Sequence, residues 1–85
     1  MGRRRGEIQI LTDILSISLS SVKITRLMYR ANLSYSTLRK YLSAALDKGL
    51  ISNTHNSDGS VVYRTTEKGK LLLKKLRDVK YALRD

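Results

Sequence analysis

Apolar side chains recur at steps of three and four residues in four stretches of the sequence, the spacing that places them on one face of an α-helix. We therefore predict helices at about residues 5 to 19, 21 to 31, 34 to 48 and 66 to 83. The positions that define the four faces are Ile8, Leu11, Ile14, Leu15 and Leu19; Ile24, Leu27, Met28 and Ala31; Leu38, Tyr41, Leu42, Ala45 and Leu46; and Gly69, Leu72, Leu76, Val79 and Leu83.

Short polar residues and glycine mark the ends of these helices. Ser21, Ser34 and Thr66 are suitable N-caps, because a side-chain oxygen there accepts a hydrogen bond from a free backbone N–H. Gly49 is the expected stop of the third helix, and Asn32 can adopt the left-handed conformation that ends the second. Two short helices joined by so tight a connection predict a helix-turn-helix.

After Gly49 the pattern changes from helical to β-prone. The runs LISNT and VVYRT predict strands at about 50 to 54 and 61 to 65, and Asp58-Gly59 between them is a strong hairpin signal. A polar-tipped hairpin after a helix-turn-helix is a wing. We therefore predict a winged helix-turn-helix, a mainly α fold with a small β-hairpin (α+β), in the order of three helices, the wing and a fourth helix.

Length and composition favour one small domain. The chain has 85 residues, 41% of them hydrophobic and none of them cysteine, which allows one modest core without disulfides or thiolate metal sites. We expect a basic arm at 1–5, a winged core at 6–66 and a C-terminal helix at 67–85. No apolar run is long enough to span a membrane, so we expect a cytoplasmic, nucleoid-associated protein.

The strong positive charge indicates a polyanionic partner. Seventeen Lys and Arg stand against seven Asp and Glu, a formal net charge of +10, and such a field attracts DNA, RNA or an anionic membrane surface. A helix can enter the major groove of DNA and contact base edges there, whereas the major groove of A-form RNA is too deep and narrow for this. The motif order therefore favours double-stranded DNA.

The third helix has a polar face that suits insertion into a major groove. Ser36, Lys40, Ser43 and Asp47 lie opposite its apolar stripe, with Arg39 beside them, although any amphipathic helix also shows a solvated polar face. Adding the arm, Lys23 on the outer side of the second helix, and the wing, we predict these DNA-contacting residues: Arg3, Arg4, Arg5, Lys23, Ser34, Tyr35, Ser36, Arg39, Lys40, Ser43, His55, Asn56, Ser57 and Arg64.

Catalytic and metal sites are not indicated. His55 is the only histidine, the acids are scattered, and no phosphate-binding glycine loop is present. A metal needs three or four ligands, and acid–base chemistry favours a closely spaced pair of carboxylates. We therefore expect no enzyme activity, cofactor, metal or small-molecule ligand.

The string TRLMYRANLSYSTLRKYLSAALDKGLI, followed by VYRTTEKGK, resembles the archaeal winged-helix proteins of the ArnR-like type. It is also similar to small archaeal DNA-binding proteins that dimerise through a C-terminal coiled coil. The resemblance covers roughly residues 5 to 76. It implies a DNA-binding regulator or chromatin-like protein, with Ser34, Tyr35, Ser36, Arg39 and Lys40 facing the groove and residues 55 to 60 at the wing tip.

Two questions stay open at this point. We expect a transcriptional regulator, but the same contacts would also serve an architectural DNA-coating protein, and a winged helix can also act as a protein-interaction module. The fourth helix carries a short heptad seam, which predicts a homodimer through Leu72, Leu76, Val79 and Leu83. The alternative is that Leu76 and Val79 fold back on the first helix.

Overall fold

The computed structural model describes residues 5–83 and consists of four helices and three strands. In chain order these are α1 (Glu7–Ile17), β1 (Val22–Lys23), α2 (Ile24–Ala31), α3 (Tyr35–Asp47), β2 (Ile51–His55), β3 (Val61–Thr65) and α4 (Glu67–Ala82). The predicted fold class and order of the four helices and the wing are confirmed. Helix α1 is shorter than predicted, because the chain turns at Ser18 and leaves Leu19 outside the helix.

The start of the second helix was predicted wrongly. Ser21 is not its N-cap: Lys23 occupies that position in an extended conformation, without a side-chain cap hydrogen bond. The reason is the strand β1, in which Val22 and Lys23 pair antiparallel with Tyr63 and Val62 of β3. The wing is therefore part of a three-stranded antiparallel sheet in the order β1-β3-β2, and not an isolated hairpin.

The other helix ends follow the capping chemistry. Ser34 accepts a hydrogen bond from the backbone N–H of Thr37, and Thr66 accepts one from that of Gly69. Asn32 is left-handed with φ 55°, and Gly49 has φ 72°. After α3 the N–H of Leu50 donates to the Ala45 carbonyl at 2.8 Å, so the glycine-terminated end is closed by backbone hydrogen bonds.

A single hydrophobic core joins α1, α2, α3, the sheet and the first half of α4. Its largest fully buried side chains include Ile14 and Leu15 of α1, Leu27 of α2, and Leu38 and Leu42 of α3. The sheet contributes Val22, Ile51 and Tyr63, and α4 contributes Leu73. This core fixes α3 so that one side of it is buried and the opposite side is exposed.

Helix α4 runs back along α1. Arg77 Nη2 donates to Ser16 Oγ and Lys80 Nζ donates to Gln9 Oε1, each at 2.8 Å. Gly69, the first position of the predicted seam, is buried against the Leu50 carbonyl and Thr65, and so belongs to the core. It is unavailable to a partner helix.

The other four seam residues differ in exposure, and the exposed ones lie towards the end of α4. Leu72 and Leu76 are partly buried and pack on the core, whereas Val79 is 56% and Leu83 is 79% exposed. The fold-back alternative thus describes Leu76 but not Val79.

Candidate nucleic-acid interface

The exposed face of α3 carries the predicted polar side chains. Ser36, Lys40, Ser43 and Asp47 are all exposed, on the side opposite the buried Leu38, Leu42 and Ala45. Four exposed residues at steps of four, three and four make a stripe along one side of a helix. The stripe consists of two short hydroxyl side chains, one cation and one acid. Side chains this small leave room for the helix to enter a major groove.

Two predicted side chains border this stripe. Tyr35, at the start of α3, is 58% exposed, and Arg39 is half-buried on the flank of the helix. Lys40 places its ammonium 5.8 Å from the ring centroid of Tyr41, within cation–π distance. That contact orients the lysine without neutralising its charge.

Ser34 has a structural role in the turn before α3. Its hydroxyl accepts from the Thr37 backbone N–H at 3.2 Å and donates to Thr37 Oγ1 at 2.9 Å. Of the predicted interface residues it is thus the one whose hydroxyl is already occupied by helix capping.

Lys23 and Arg64 share the outer face of the sheet. Lys23 pairs with Val62, and Arg64 pairs with Ser52. Side chains two apart along a strand point to the same side, as do directly paired residues, so both cations lie opposite the face that carries the buried Tyr63. Ser52 and Thr54 add exposed hydroxyls to this outer face.

Sequence reasoning omitted two cations of α2 from the interface. Arg26 lines a shallow groove together with Lys23, Thr25 and the 85%-exposed Tyr29, and Arg30 is exposed in the last turn of the same helix. The sequence signal was available, since both arginines lie opposite the apolar face of the helix that precedes α3.

The wing tip is a compact polar turn. His55 ends β2 opposite Val61. Asn56 donates two hydrogen bonds to Ser60, from its backbone N–H to the Ser60 carbonyl at 2.8 Å and from its Nδ2 to Ser60 Oγ at 3.0 Å. Ser57 is exposed, and Gly59 takes the positive φ of 87° that the turn requires. The turn therefore presents His55, Asn56 and Ser57 to solvent on a well-hydrogen-bonded backbone.

Asp58 is the acid in this turn. Its carboxylate accepts from the Ser60 hydroxyl at 2.6 Å and from the Ser60 backbone N–H at 2.9 Å. These hydrogen bonds hold the pKa of Asp58 below its ordinary value of 3.8, and the positive charge of Lys23 lowers it further. The Asp58 carboxylate thus stabilises the turn through its hydrogen bonds with Ser60.

The predicted N-terminal arm is only partly described. Arg3 and Arg4 lie outside the described residues. Arg5 is attached to the body of the protein: its guanidinium donates to the Asp13 carboxylate at 2.7 Å and to the Asn32 carbonyl at 3.0 Å. Arg5 is therefore held against the folded domain and is not part of a free arm.

The ion pairs are distributed unevenly over the surface. Among residues 5–83 they are Arg5–Asp13, Lys70–Glu67 and Lys74–Asp78, all on the α1 and α4 side. The cations of α2, α3 and the sheet form none within that range; they are Lys23, Arg26, Arg30, Arg39, Lys40 and Arg64. The α2, α3 and wing side is consequently a cationic surface with little internal neutralisation.

Within residues 5–83 no group of three or more histidine and acidic side chains is arranged to hold a metal ion. The same part of the chain has no helix long and apolar enough to cross a membrane.

The fold and this surface define a protein class. The chain belongs to the winged helix-turn-helix family, whose sequence model matches residues 4–83. The predicted membership is thereby confirmed. A sequence relative in Methanocaldococcus jannaschii, an uncharacterised protein, is 40% identical over 77 residues, or 89% of this chain. The chain spans only 34% of that relative.

Solved structures agree with this classification. Sso10a-2, a DNA-binding protein from Sulfolobus solfataricus, is 32% identical with a TM-score of 0.83, over 92% of this chain and 81% of its own. The transcriptional regulator BldR from the same organism has a TM-score of 0.79 at 21% identity, over 87% of this chain and 55% of its own. At that identity BldR supports the fold alone.

Proposed function

We propose that this protein binds double-stranded DNA and acts as a transcriptional regulator, with α3 in the major groove and the wing on the sugar–phosphate backbone. The observation that carries the proposal is the cationic surface of α2, α3 and the sheet, whose six Lys and Arg side chains form no ion pair with any residue between 5 and 83. Phosphates are the partners that such unpaired cations recruit, because neutralising them releases counterions.

The α3 face supplies the second part of the proposal. Ser36, Lys40 and Ser43 are exposed in one line, and Arg39 lies on its edge. A bidentate arginine contact to guanine, or hydroxyl contacts to base edges, would give base preference, whereas contacts to phosphate alone would not. The described similarity to Sso10a-2, a DNA-binding protein, supports the DNA partner.

The second candidate function is architectural DNA coating. It is favoured by the cations outside α3, since Lys23, Arg26, Arg30 and Arg64 are suited to phosphates of any sequence. Binding to a randomised duplex pool, followed by selection and sequencing, separates the two functions. A sharp motif supports the regulator, a flat but saturable profile supports coating, and no binding contradicts both.

The role of α3 is tested by single substitutions. We expect Lys40→Ala to weaken DNA binding more than Lys75→Ala, which removes the same charge from an exposed position on α4. If Arg39 contacts a base, Arg39→Ala should reduce the preference for that base, because a bidentate contact between arginine and guanine contributes about 1–3 kcal/mol of discrimination. Equal affinities for the Lys40 and Lys75 variants, together with an unchanged Arg39 variant, would contradict the placement of α3 in the groove.

We further propose a homodimer formed through α4. Val79 and Leu83 are exposed on one flank of the helix, next to the partly buried Leu72 and Leu76. Monomeric proteins seldom leave such a stripe uncovered, and a two-fold symmetric dimer would present two copies of α3 to successive major grooves.

A further inference from the structure

Asp13 lies on α1 but is connected to the turn that precedes α3. Arg5 Nη1 donates to Asp13 Oδ2 at 2.7 Å, and Arg5 Nη2 donates to the Asn32 carbonyl oxygen at 3.0 Å. The two charged side chains are about one third exposed, at 30% and 29%. Because the guanidinium is planar and rigid, two acceptors on different elements fix its position. One arginine thus ties α1 to the helix-turn-helix turn.

The tied turn determines where α3 begins. Asn32 is the left-handed residue that ends α2, and Ser34, two positions later, is the N-cap of α3. A change in the orientation of the Asn32 peptide would move this cap and with it the first turn of α3. Tyr35 and Ser36, on the proposed DNA-facing side, lie in that turn.

The second oxygen of Asp13 is also in use. Gln9 Nε2 donates to Asp13 Oδ1 at 2.8 Å, and Gln9 Oε1 accepts from Lys80 Nζ at 2.8 Å. The hydrogen bonds therefore run without interruption from the end of α4, through Gln9, Asp13 and Arg5, to the carbonyl of Asn32. Asp13 lies in the middle of this series of hydrogen bonds and accepts one from Arg5 and one from Gln9.

We propose that Asp13 is a positioning residue for DNA binding: through Arg5 it holds the turn that orients α3, and through Gln9 it connects that turn to α4. This inference rests on the proposed DNA-binding function. If Asp13 has this role, its acidic side chain is required for tight DNA binding, even though DNA is itself negatively charged.

Asp13→Asn tests the proposal because simple electrostatics predicts the opposite result. Losing an acidic charge should strengthen attraction to DNA. Arg5 and Gln9 donate to different oxygens of Asp13, and in asparagine one of these two positions is an NH₂ group, which would face a donor and cannot accept from it. We expect duplex affinity to fall by about fivefold, the lower end of typical coupling between sites.

Asp78→Asn is the matched control, since Asp78 also forms an ion pair, with Lys74 at 3.1 Å, but makes no hydrogen bond that leads to the turn among the residues described, 5–83. It should bind DNA as tightly as the unmodified protein or more tightly. Arg5→Lys keeps the charge but loses the planar fork, so it should weaken binding as Asp13→Asn does. Equal or tighter binding by both the Asp13 and Arg5 variants would overturn the proposal.

Nuclear magnetic resonance of the free protein supplies a reading that does not depend on DNA. In Asp13→Asn the backbone amides of residues 33 to 37 should shift, whereas in Asp78→Asn they should not. Unshifted amides in a folded Asp13 variant would overturn the positioning role. If the unmodified protein bound no duplex, the proposed function would fail, and the amide shifts would still decide whether Asp13 holds the turn.

Discussion

Gly69 of α4 lies directly against the backbone carbonyl of Leu50, in contact so close that a Cβ at position 69 would collide with that oxygen. The same Cβ would lie 2.6 Å from Cγ2 of Thr65. Gly69→Ala should therefore destabilise the protein by about 1–3 kcal/mol, although alanine is favoured over glycine in a helix. Thermal denaturation measures the effect, since 1 kcal/mol corresponds to about 4–8 °C in Tm for a domain of this size.

Gly6→Ala is the control for this substitution, because a Cβ at position 6 would meet no atom of residues 5–83 within 4 Å. As an N-cap change from glycine to alanine it should cost less than about 1 kcal/mol. If Gly69→Ala were as stable as Gly6→Ala, the close packing of α4 on the chain at Leu50 would be wrong.

Leu71 and Leu73 provide a second test of how α4 packs. Leu73 is 2% exposed and belongs to the core, whereas Leu71 is 63% exposed. Leu73→Ala should cost about 2–5 kcal/mol through loss of burial and creation of a cavity, and Leu71→Ala should cost less than about 0.5 kcal/mol. Urea denaturation of the two variants checks the order, and a larger loss for Leu71 would mean that the helix is rotated.

The wing turn should respond to acid through Asp58. Because its pKa is lowered in the folded protein from the ordinary 3.8, its ionised form stabilises the turn at higher pH. That contribution is lost as the pH falls through the lowered folded value. Titration of the Asp58 carboxyl carbon by nuclear magnetic resonance should give a midpoint below 3.8.

Ser60→Ala tests the cause of this shift. It removes the hydroxyl hydrogen bond, the largest contribution to the lowered pKa, but keeps the backbone N–H. The midpoint of Asp58 should then rise towards the ordinary value. An unchanged midpoint would show that the hydroxyl is not what lowers the pKa.

The dimer proposal predicts that charge on the exposed flank of α4 separates the subunits. Val79→Glu combined with Leu83→Glu should give a folded monomer with much weaker DNA binding, because dimerisation would place two α3 helices on one duplex. Light scattering and DNA titration measure the two effects. Tyr81→Glu combined with Ala82→Glu makes the same charge change at exposed neighbouring positions and should remain dimeric. An unmodified protein that is monomeric at tens of micromolar would contradict the proposal.

Features governed by local chemistry were predictable from the sequence. The caps at Ser34 and Thr66 and the left-handed Asn32 depend on residues within a few positions of each helix end. The period change after Gly49 located both strands of the wing to within one residue. Such signals do not require knowledge of distant partners.

Features governed by distant pairing were not predictable. Strand β1 has two residues, too few for an alternating pattern, and exists because Val22 pairs with Tyr63 far along the chain. Arg5 looked like part of a free arm because nothing near it in sequence indicates Asp13 or Asn32 as partners. The three consecutive leucines of α4 are equally ambiguous, because only the packing on the core shows that Leu73 is the buried one.

Strand β1 also limits how the wing can move. Lys23 pairs with Val62 of the wing and is followed immediately by Ile24, the first residue of α2. The wing and the helix-turn-helix are thereby joined by a backbone ladder, so the distance from the wing tip to α3 is set by the protein itself. In the proposed complex the DNA would have to adapt its shape to this fixed distance, because the protein would not adjust. DNA sequences that are costly to deform to this spacing would bind less well, so that base pairs touched by no side chain would also influence affinity.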